Sequence, residues 1–520
     1  MVRLFNHNST LSVLTGIALS LAFPFSGSLT PLIFIAWAPI YWVAIKLKDQ
    51  PRAWLSFFGL NYLSFLIFNI GTTWWIWNST AGGAIMAFVC NSLLMAIAMT
   101  IGFTLFKKQK PTLFLIGLGT TWLCFEFLHL NWELSWPWLT MGNFFSIRTT
   151  WIQWYEYTGT LGGSSWVILV NIFITLGIFR KRNYKFHIYP LLLIIIPILL
   201  SLLLTNTTKN KHNKTLNVVL LQPNIDPYTE KFNIDPSIQL RNMLNMATPY
   251  IKKNTLVIGP ETAIQEAFVE RDFKTTKCHS ILDSMLTFEQ TNLLIGASTF
   301  NIFQDPNSAA SKPLPDGKFY EAYNTALYFT KENPQFIHKS KLVLGVEKIP
   351  FSRWIPWLEK FSIENGGTSG SLGVEASPKI FKNGTQALAP IICYESIYGD
   401  FVAEQCNKGA QLLCIITNDG WWGNTPGHKQ HNQFAAIRAI ETRKYVVRSG
   451  NTGISSVWDP NGNNIEQSKY NEKIVISSQV ELRNGKTIYV KYGDFLGWIN
   501  LVILFLLSIN SLLFGCFKKN

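Results

Sequence analysis

The stretch Ala389-Pro390-Ile391-Ile392-Cys393-Tyr394-Glu395 joins an apolar, strand-like run to a cysteine that is followed by an aromatic ring and a carboxylate. A thiol at the tip of a buried strand is held rigidly while its sulfur faces a cleft, as a covalent catalyst requires. Free cysteines are more often small buried hydrophobic residues, so the strand-end position of Cys393 is what favours a nucleophile. The stretch therefore predicts a buried strand that ends at a candidate active site.

Two other predicted strand ends carry the charged groups that such a thiol needs. Glu261 ends the run that starts at Leu256, and a desolvated glutamate has a raised pKa and can take the thiol proton. Lys339 follows Phe336-Ile337-His338, and in a dry cleft its ammonium would stabilise both the thiolate and an oxyanion. The residues alone leave two alternatives open, a helix N-terminal carboxylate for Glu261 and a solvated surface charge for Lys339.

The part of the chain around these residues alternates short β-branched runs with helical patterns, which predicts an α/β domain. Continuous apolar strands indicate sheets covered on both faces, so a layered sandwich is expected. Helices are predicted over Asp272–Gln290 and His431–Lys444. The predicted strands are Leu216–Leu221, Leu256–Gly259, Asn292–Ala297, Ala326–Phe329, Leu388–Cys393, Gln411–Thr417, Tyr445–Ser449, Ile454–Trp458 and Ile474–Val480.

The composition places another part of the chain in lipid. With 520 residues, 48% of them hydrophobic and 15% charged, a wholly soluble protein is excluded. A signal peptide at the first apolar span is not favoured, because further spans follow and no convincing cleavage site precedes a polar domain. Eight apolar spans long enough, or nearly so, to cross a bilayer lie near residues 9–24, 29–45, 53–70, 83–106, 112–129, 151–179, 188–205 and 495–517.

The formal charge of +14 is spread over alternate loops and not along one helix or arm, which argues against nucleic-acid binding. Because short cytoplasmic loops hold the positive charge, both termini are expected in the cytoplasm. The chain then divides into a transmembrane domain of seven helices (1–205), an extracytoplasmic catalytic domain (206–494), and an eighth transmembrane helix with a short cytoplasmic tail (495–520).

Several further residues have both a catalytic and a purely structural interpretation. Glu347 can orient Lys339 or be a surface acid, and the loop tryptophans Trp421 and Trp422 can contact lipid or fill a core edge. His428 and His431 lack an evident third ligand, so a solvated helix start is expected there, and no metal and no cofactor are predicted. The cysteines show no paired framework, although a bridge between Cys406 and Cys414 stays open.

The order Glu261, Lys339-x-x-Leu342, Cys393-Tyr394-Glu395 resembles the nitrilase superfamily. The membrane part adds the motif from Trp136 to Gly142, which is similar to the membrane-integral lipoprotein N-acyltransferases of that superfamily. The resemblance covers nearly the whole chain. It implies a multi-domain membrane protein, with an eight-helix transmembrane domain and a nitrilase-like αββα sandwich.

The resemblance also implies roles for the residues. Cys393 would be the nucleophile, Glu261 the general base and Lys339 the oxyanion stabiliser. The supporting residues would be Glu347, Tyr394 and Glu395, with the backbone N–H of Tyr394 as second oxyanion donor. Substrate contacts would come from Phe232, Asn324, Trp421 and Trp422. The sequence departs from the family at Leu342–Glu347 and at Phe232, where many members have a tryptophan.

The reaction implied is transfer of an acyl chain from a membrane phospholipid, phosphatidylethanolamine above all, to the free amine of a diacylglyceryl apolipoprotein. The enzyme would be a multi-pass monomer of the cytoplasmic (inner) membrane, with its catalytic domain on the periplasmic side. A membrane-tethered amidase that uses water as the acceptor is the alternative. A transporter with an external receptor domain is a third class, but few ionisable residues lie inside the spans.

Overall fold

The computed structural model describes residues 2–180, 185–205, 214–231, 233–285, 291–330, 333–352, 354–355, 357 and 371–517. The chain forms two compact units, one of residues Met1–Thr207 with Tyr492–Asn520 and the other of Thr208–Lys491.

The first unit is helical. Among the described residues, six stretches are long and apolar enough to cross a membrane: Thr30–Leu47, Ala53–Asn78, Ala81–Phe106, Pro111–His129, Tyr155–Phe179 and Phe495–Leu513. The helices of this unit are α1 (Val2–Ala22), α2 (Ile33–Ala36), α3 (Ala38–Leu47), α4 (Ala53–Thr73), α5 (Ala81–Phe106), α6 (Pro111–His129), α7 (Tyr155–Phe179), α8 (Lys185–Leu204) and α14 (Phe495–Phe517).

The prediction of eight spans is confirmed for six of them. The first predicted span lies in α1, whose opening turns are polar, with Asn6, His7 and Asn8, so that its apolar part is short. The seventh corresponds to Ile188–Leu204, which is apolar but among the shorter helices of the described chain. Both fall below the ~20 apolar residues that a perpendicular crossing needs.

Buried polar side chains hold the irregular backbone of this unit. Between α2 and α3, Asn171 accepts from Trp37 N at 3.0 Å and donates to Ile33 O at 2.9 Å. Glu126 of α6 accepts from Met141 N at 2.9 Å, and Tyr155 donates to the carbonyl of the neighbouring residue 142 at 2.9 Å. Buried non-helical backbone needs such partners, which gives the motif at residues 136–142 a structural role.

The second unit contains two sheets in the described part of the chain. One has eight strands in the order β14-β1-β2-β4-β6-β5, with β3 paired to β4 and β7 paired to β6, and the other has six in the order β13-β12-β11-β10-β9-β8. The strands are β1 (Thr215–Gln222), β2 (Thr255–Ile258), β3 (Ile264–Val269), β4 (Asn292–Phe303), β5 (Lys312–Pro313), β6 (Phe319–Phe329), β7 (Gln335–His338), β8 (Phe381–Asn383), β9 (Gln386–Ile392), β10 (Leu412–Thr417), β11 (Val446–Gly450), β12 (Ser456–Trp458), β13 (Asn464–Gln467) and β14 (Ile474–Glu481). The helices are α9 (Pro236–Ala247), α10 (Lys277–Met285), α11 (Gly399–Asn407), α12 (Pro426–Thr442) and α13 (Ile488–Tyr492).

The two sheets face each other across one apolar core, which confirms the predicted αββα sandwich. Val218 and Leu294 of the larger sheet share a buried cluster with Leu412 and Val447 of the smaller one. A second cluster joins the other face of the larger sheet to α9 and α10, while α11 and α12 contact the smaller sheet. Each of the nine predicted strands coincides with an observed one.

Candidate active site

Three strand ends bring Glu261, Lys339 and Cys393 together. The Nζ atom of Lys339 lies 3.0 Å from Glu261 Oε1 and 2.9 Å from Glu347 Oε1, and its side chain is 1% exposed. Glu261 follows β2, Lys339 follows β7 and Cys393 follows β9. A lysine buried to this degree is stable because it is paired, so its solvated surface alternative does not hold. The structure places the predicted Glu347 in direct contact with Lys339, although the loop before it departs from the family pattern.

Asn324 connects the two carboxylates. Its Nδ2 donates to Glu261 Oε1 at 2.8 Å and to Glu347 Oε1 at 2.9 Å, from the middle of β6. The other oxygen of Glu261 accepts from Asn418 N at 3.2 Å. A carboxylate with several donors keeps one orientation, so Glu261 is fixed before any substrate arrives. The predicted contact of Asn324 with substrate stays a prediction.

Cys393 has a strained backbone. Its φ angle is +53°, in the left-handed region that residues with a side chain seldom occupy, at the start of the 3-10 turn Cys393–Ile397. Such a conformation costs about 1–3 kcal/mol and persists only where surrounding contacts hold it. The carbonyl oxygen of Cys393 supplies such contacts, since Ser396 Oγ lies 2.8 Å and His431 Nε2 3.1 Å from it.

The charges of the site favour a neutral thiol beside an ionised base. Burial raises the pKa of Cys393 well above its ordinary value and Glu261 raises it further, while Lys339 opposes the shift. Burial also works against the charge of Glu261, but Lys339, Asn324 and Lys231 outweigh it and lower the pKa of that carboxyl. The expectation of a raised pKa for Glu261 is therefore wrong, because its desolvation is offset by two ammonium groups and an amide. Glu261 is ionised and can accept the thiol proton.

Glu395 links the segment after Lys339 to the strand that ends at Cys393. Its Oε1 accepts from Ser340 N at 2.5 Å and its Oε2 from Ile392 N at 2.8 Å. Burial raises the pKa of Glu395 to about 7 despite these donors. Two separate strand ends are thereby held at a fixed distance by one side chain, which supports the predicted auxiliary role of Glu395.

The remaining predicted residues lie around this centre. Tyr394 is buried and its ring packs against Tyr398, with centroids 5.3 Å apart. Trp421 is half-buried and lies 5.9 Å from Lys231 Nζ, and Trp422 packs against His431 at 5.6 Å. Phe232 lies outside the described residues.

Sequence reasoning missed Lys231, a buried lysine whose Nζ donates to Thr262 Oγ1 at 2.7 Å. It lines a small cavity together with Glu261 and Asn418. Burial is the main influence on Lys231 and lowers its pKa to about 8, although Glu261 opposes the shift. Lys231 lies in a polar loop that has no hydrophobic periodicity, so no pattern in the sequence indicated that this lysine is buried.

A second missed feature is the buried network of Asp419, His431 and Arg448. His431 Nδ1 lies 2.9 Å from Asp419 Oδ1, and Arg448 Nη2 lies 2.5 Å from Asp419 Oδ2. His428 and His431 are each 1% exposed, so the expectation of a solvated helix start is wrong: α12 packs against the smaller sheet. Nothing in the helical pattern predicted over His431–Lys444 distinguished this histidine from a solvated one.

Ligand atoms of Cys393, Asp419 and His431 lie within 4.8 Å of one another, as in a metal site. Both nitrogens of His431 are, however, already in contact with protein partners, Nδ1 with Asp419 and Nε2 with Ser396 and the Cys393 carbonyl. The expectation of no metal ligand stays a prediction. Cys406 and Cys414 are both free thiols, which answers the question of a bridge between them.

Known protein families and proteins are similar to this chain. Residues 220–487 match the carbon-nitrogen hydrolase family, and residues 15–173 match the apolipoprotein N-acyltransferase N-terminal domain. The apolipoprotein N-acyltransferase of Chlorobaculum tepidum is 28% identical over 95% of this chain and 94% of its own length. That of Thermotoga maritima is 25% identical over 95% of this chain and 92% of its own length. Nit3 of Saccharomyces cerevisiae, a nitrilase-superfamily structure, aligns with 54% of this chain and 93% of its own at 14% identity and a TM-score of 0.37.

The chain belongs to the carbon-nitrogen hydrolase family, whose model spans more than half of its 520 residues. Within that family it groups with the apolipoprotein N-acyltransferases, because relatives of that name match it over nearly its full length and its N-terminal part matches their dedicated domain. It is therefore a multi-pass membrane enzyme of the acyltransferase class.

Proposed function

We propose that the enzyme transfers a fatty acyl chain from a membrane phospholipid, through a thioester on Cys393, to the α-amine of the diacylglyceryl-cysteine at the N-terminus of apolipoproteins. The observation that carries the proposal is the buried group of Glu261, Lys339 and Glu347 around a strained strand-end cysteine. The relatives named apolipoprotein N-acyltransferase supply the substrate class.

In the first half-reaction Glu261 takes the thiol proton while the sulfur of Cys393 attacks the ester carbonyl of the phospholipid. A carbon–sulfur bond forms, and the oxyanion is stabilised by Lys339 Nζ and by the backbone N–H of Tyr394. The intermediate collapses by breaking the ester carbon–oxygen bond. Glu261 returns its proton to the departing alkoxide, so a lysophospholipid leaves and a thioester remains.

In the second half-reaction the neutral α-amine of the acceptor attacks the thioester carbonyl. The same two donors stabilise the new oxyanion, the carbon–sulfur bond breaks and an amide forms. Glu261 accepts the proton that the nitrogen loses and passes it to the departing thiolate, which restores the neutral thiol. Because the two lipids react in separate steps, both can use one pocket in turn.

The connectivity of the chain suits substrates that are anchored in lipid. The catalytic unit begins after α8 and ends before α14, so the chain enters it from one apolar helix and leaves it into another. Such attachment reduces a three-dimensional search to a planar one. The distribution of Lys and Arg supports an outward-facing catalytic domain in the cytoplasmic (inner) membrane with both termini in the cytoplasm. We further propose phosphatidylethanolamine as the donor and a monomer as the working form.

The proposal is tested with Cys393→Ala, with Cys406→Ala as the matched control in the same unit. Purified proteins are incubated with phospholipid and a diacylglyceryl-cysteinyl peptide, and the peptide is analysed by mass spectrometry. Wild type and Cys406→Ala should convert the peptide to its N-acyl form, and Cys393→Ala should not. Acyl release to water with no gain in peptide mass would support the amidase alternative.

A further inference from the structure

We propose that His431, held by Asp419 and Arg448, is a positioning residue that aims the backbone N–H of Tyr394 at the oxyanion. The inference rests on the proposed function, which assigns that N–H to the oxyanion. It concerns a network that neither the residue pattern nor the comparisons assign to the reaction.

The network ends on one backbone carbonyl. His431 Nε2 lies 3.1 Å from the carbonyl oxygen of Cys393, and Ser396 Oγ lies 2.8 Å from the same atom. A carbonyl oxygen only accepts, so the geometry assigns hydrogens to Nε2 and to Oγ. The Cys393 carbonyl is thereby fixed by two donors on one side of the peptide.

The peptide plane transmits this constraint to the next residue. The described chain has no cis peptide bond, so the N–H of Tyr394 points opposite to the C=O of Cys393 in the same rigid plane. A rotation of that plane would turn the N–H away from the substrate. The plane turns with ψ of Cys393, so the two donors to the Cys393 carbonyl oppose this rotation directly.

The imidazole is itself held rigidly. Its Nδ1 lies 2.9 Å from Asp419 Oδ1, Arg448 contacts both groups, and Thr417 Oγ1 donates to Asp419 at 2.9 Å. Asp419 and Arg448 form a buried ion pair, and Asp419 also helps to raise the pKa of the Cys393 thiol. Replacing His431 leaves that ion pair in place, so such a variant tests the geometry at the oxyanion.

Two reactions of the same sulfur separate these effects. Thioester formation from phospholipid passes through an oxyanion, whereas alkylation by iodoacetamide needs the thiolate but forms no oxyanion. In His431→Leu we expect thioester formation to slow about 10²–10³-fold, the usual loss for an oxyanion donor. Alkylation should stay within about a factor of three, because Glu261, Lys339 and Asp419, the charged groups that set the pKa of the thiol, are all retained. His431→Gln, which restores a donor near the Nε2 position, should recover much of the lost rate.

The control is His428→Leu. His428 is buried on the same helix one turn earlier, where its ring packs against Tyr470 and its Nε2 meets Asn424. Both rates should be unchanged in this variant. If His431→Leu does not fold, Ser396→Ala replaces it, since that variant removes the other donor to the same carbonyl. It should slow thioester formation about tenfold and leave alkylation unchanged.

The outcomes separate the inference from the proposed function. Equal slowing of both reactions in His431→Leu or Ser396→Ala, or no slowing of thioester formation, overturns the positioning role while the wild type still forms its thioester. Failure of His431→Gln to recover any rate also counts against it. If the wild type forms no thioester with phospholipid, the proposed function fails and the inference with it.

Discussion

Replacing Lys339 with methionine removes the ammonium that lies 3.0 Å from Glu261 and 2.9 Å from Glu347. The two buried carboxylates would then share the single amide of Asn324. Breaking a buried ion pair by removing one partner costs about 3–5 kcal/mol of folding free energy. Loss of the oxyanion donor should also slow thioester formation at least 10²-fold. The structure further predicts how the stability loss depends on pH.

In the wild type the folded-state pKa of Glu261 is below its ordinary value, so its contribution to stability is present at neutral pH and is lost as the pH falls through that depressed pKa. In Lys339→Met, burial of Glu261 is no longer offset by Lys339 and its folded-state pKa should rise above the ordinary value. The contribution is then largest at low pH and is lost as the pH rises. The stability gap between the two proteins should therefore widen between pH 5 and pH 8, by at most about 1.4 kcal/mol per pH unit.

The gap is measured as the difference in unfolding free energy, or in melting temperature, in detergent micelles at pH 5 and pH 8. Lys341→Met is the control, since the ammonium of Lys341 lies 4.9 Å over the Tyr398 ring and is not part of the contacts among Lys339, Glu261 and Glu347. It should lose no more than about 1 kcal/mol at either pH. A difference in unfolding free energy between wild type and Lys339→Met that is constant, or that decreases as the pH rises, would refute the role of Lys339 in lowering the pKa of Glu261.

Two further variants test neighbouring contacts. Lys231→Met removes an ammonium that helps to keep the pKa of Glu261 low. The acidic limb of the pH profile of thioester formation should therefore move to higher pH. An acidic limb that stays in place would count against this role of Lys231. Glu395→Gln keeps one acceptor but leaves the N–H of Ser340 or Ile392 without a carboxylate oxygen, which should lower stability by about 1–3 kcal/mol. The melting temperature of Glu395→Gln measures this loss, and an unchanged value would show that the link between the two strand ends is dispensable.

The sequence pattern located the catalytic centre because its residues stand at breaks in apolar runs. Glu261 and Cys393 follow two of the nine predicted strands, and Lys339 follows the run that begins at Phe336. In the fold β2 and β7 belong to the larger sheet and β9 to the smaller one. All nine predicted strands exist, because short runs rich in β-branched residues favour the extended backbone of a strand. The other five strands, β3, β5, β7, β8 and β13, were not among the nine. Strands β5, β7 and β8 have two to four residues, β13 is exposed, and β3 has no regular alternation of buried and exposed residues.

What the pattern could not give is the environment of each charge. Burial alone predicts a raised pKa for Glu261, but Lys231 and Lys339 arrive from distant parts of the chain and reverse the direction. The same holds for His431, which is polar in sequence and fully enclosed in the fold. The count of eight spans included two stretches, residues 9–24 and the helix Ile188–Leu204, that are apolar but shorter than the six confirmed ones.

In the proposed reaction Cys393 carries the fatty chain between two lipids. The direct test is mass spectrometry of the peptide that contains Cys393 after the wild-type enzyme has been incubated with phospholipid alone. We expect a gain in mass equal to one fatty acyl group, which hydroxylamine releases. The group should be lost when a diacylglyceryl-cysteinyl peptide with a free amine is added, and retained when that amine is acetylated. An unmodified Cys393, or an acyl group attached to another residue, would contradict this role of Cys393.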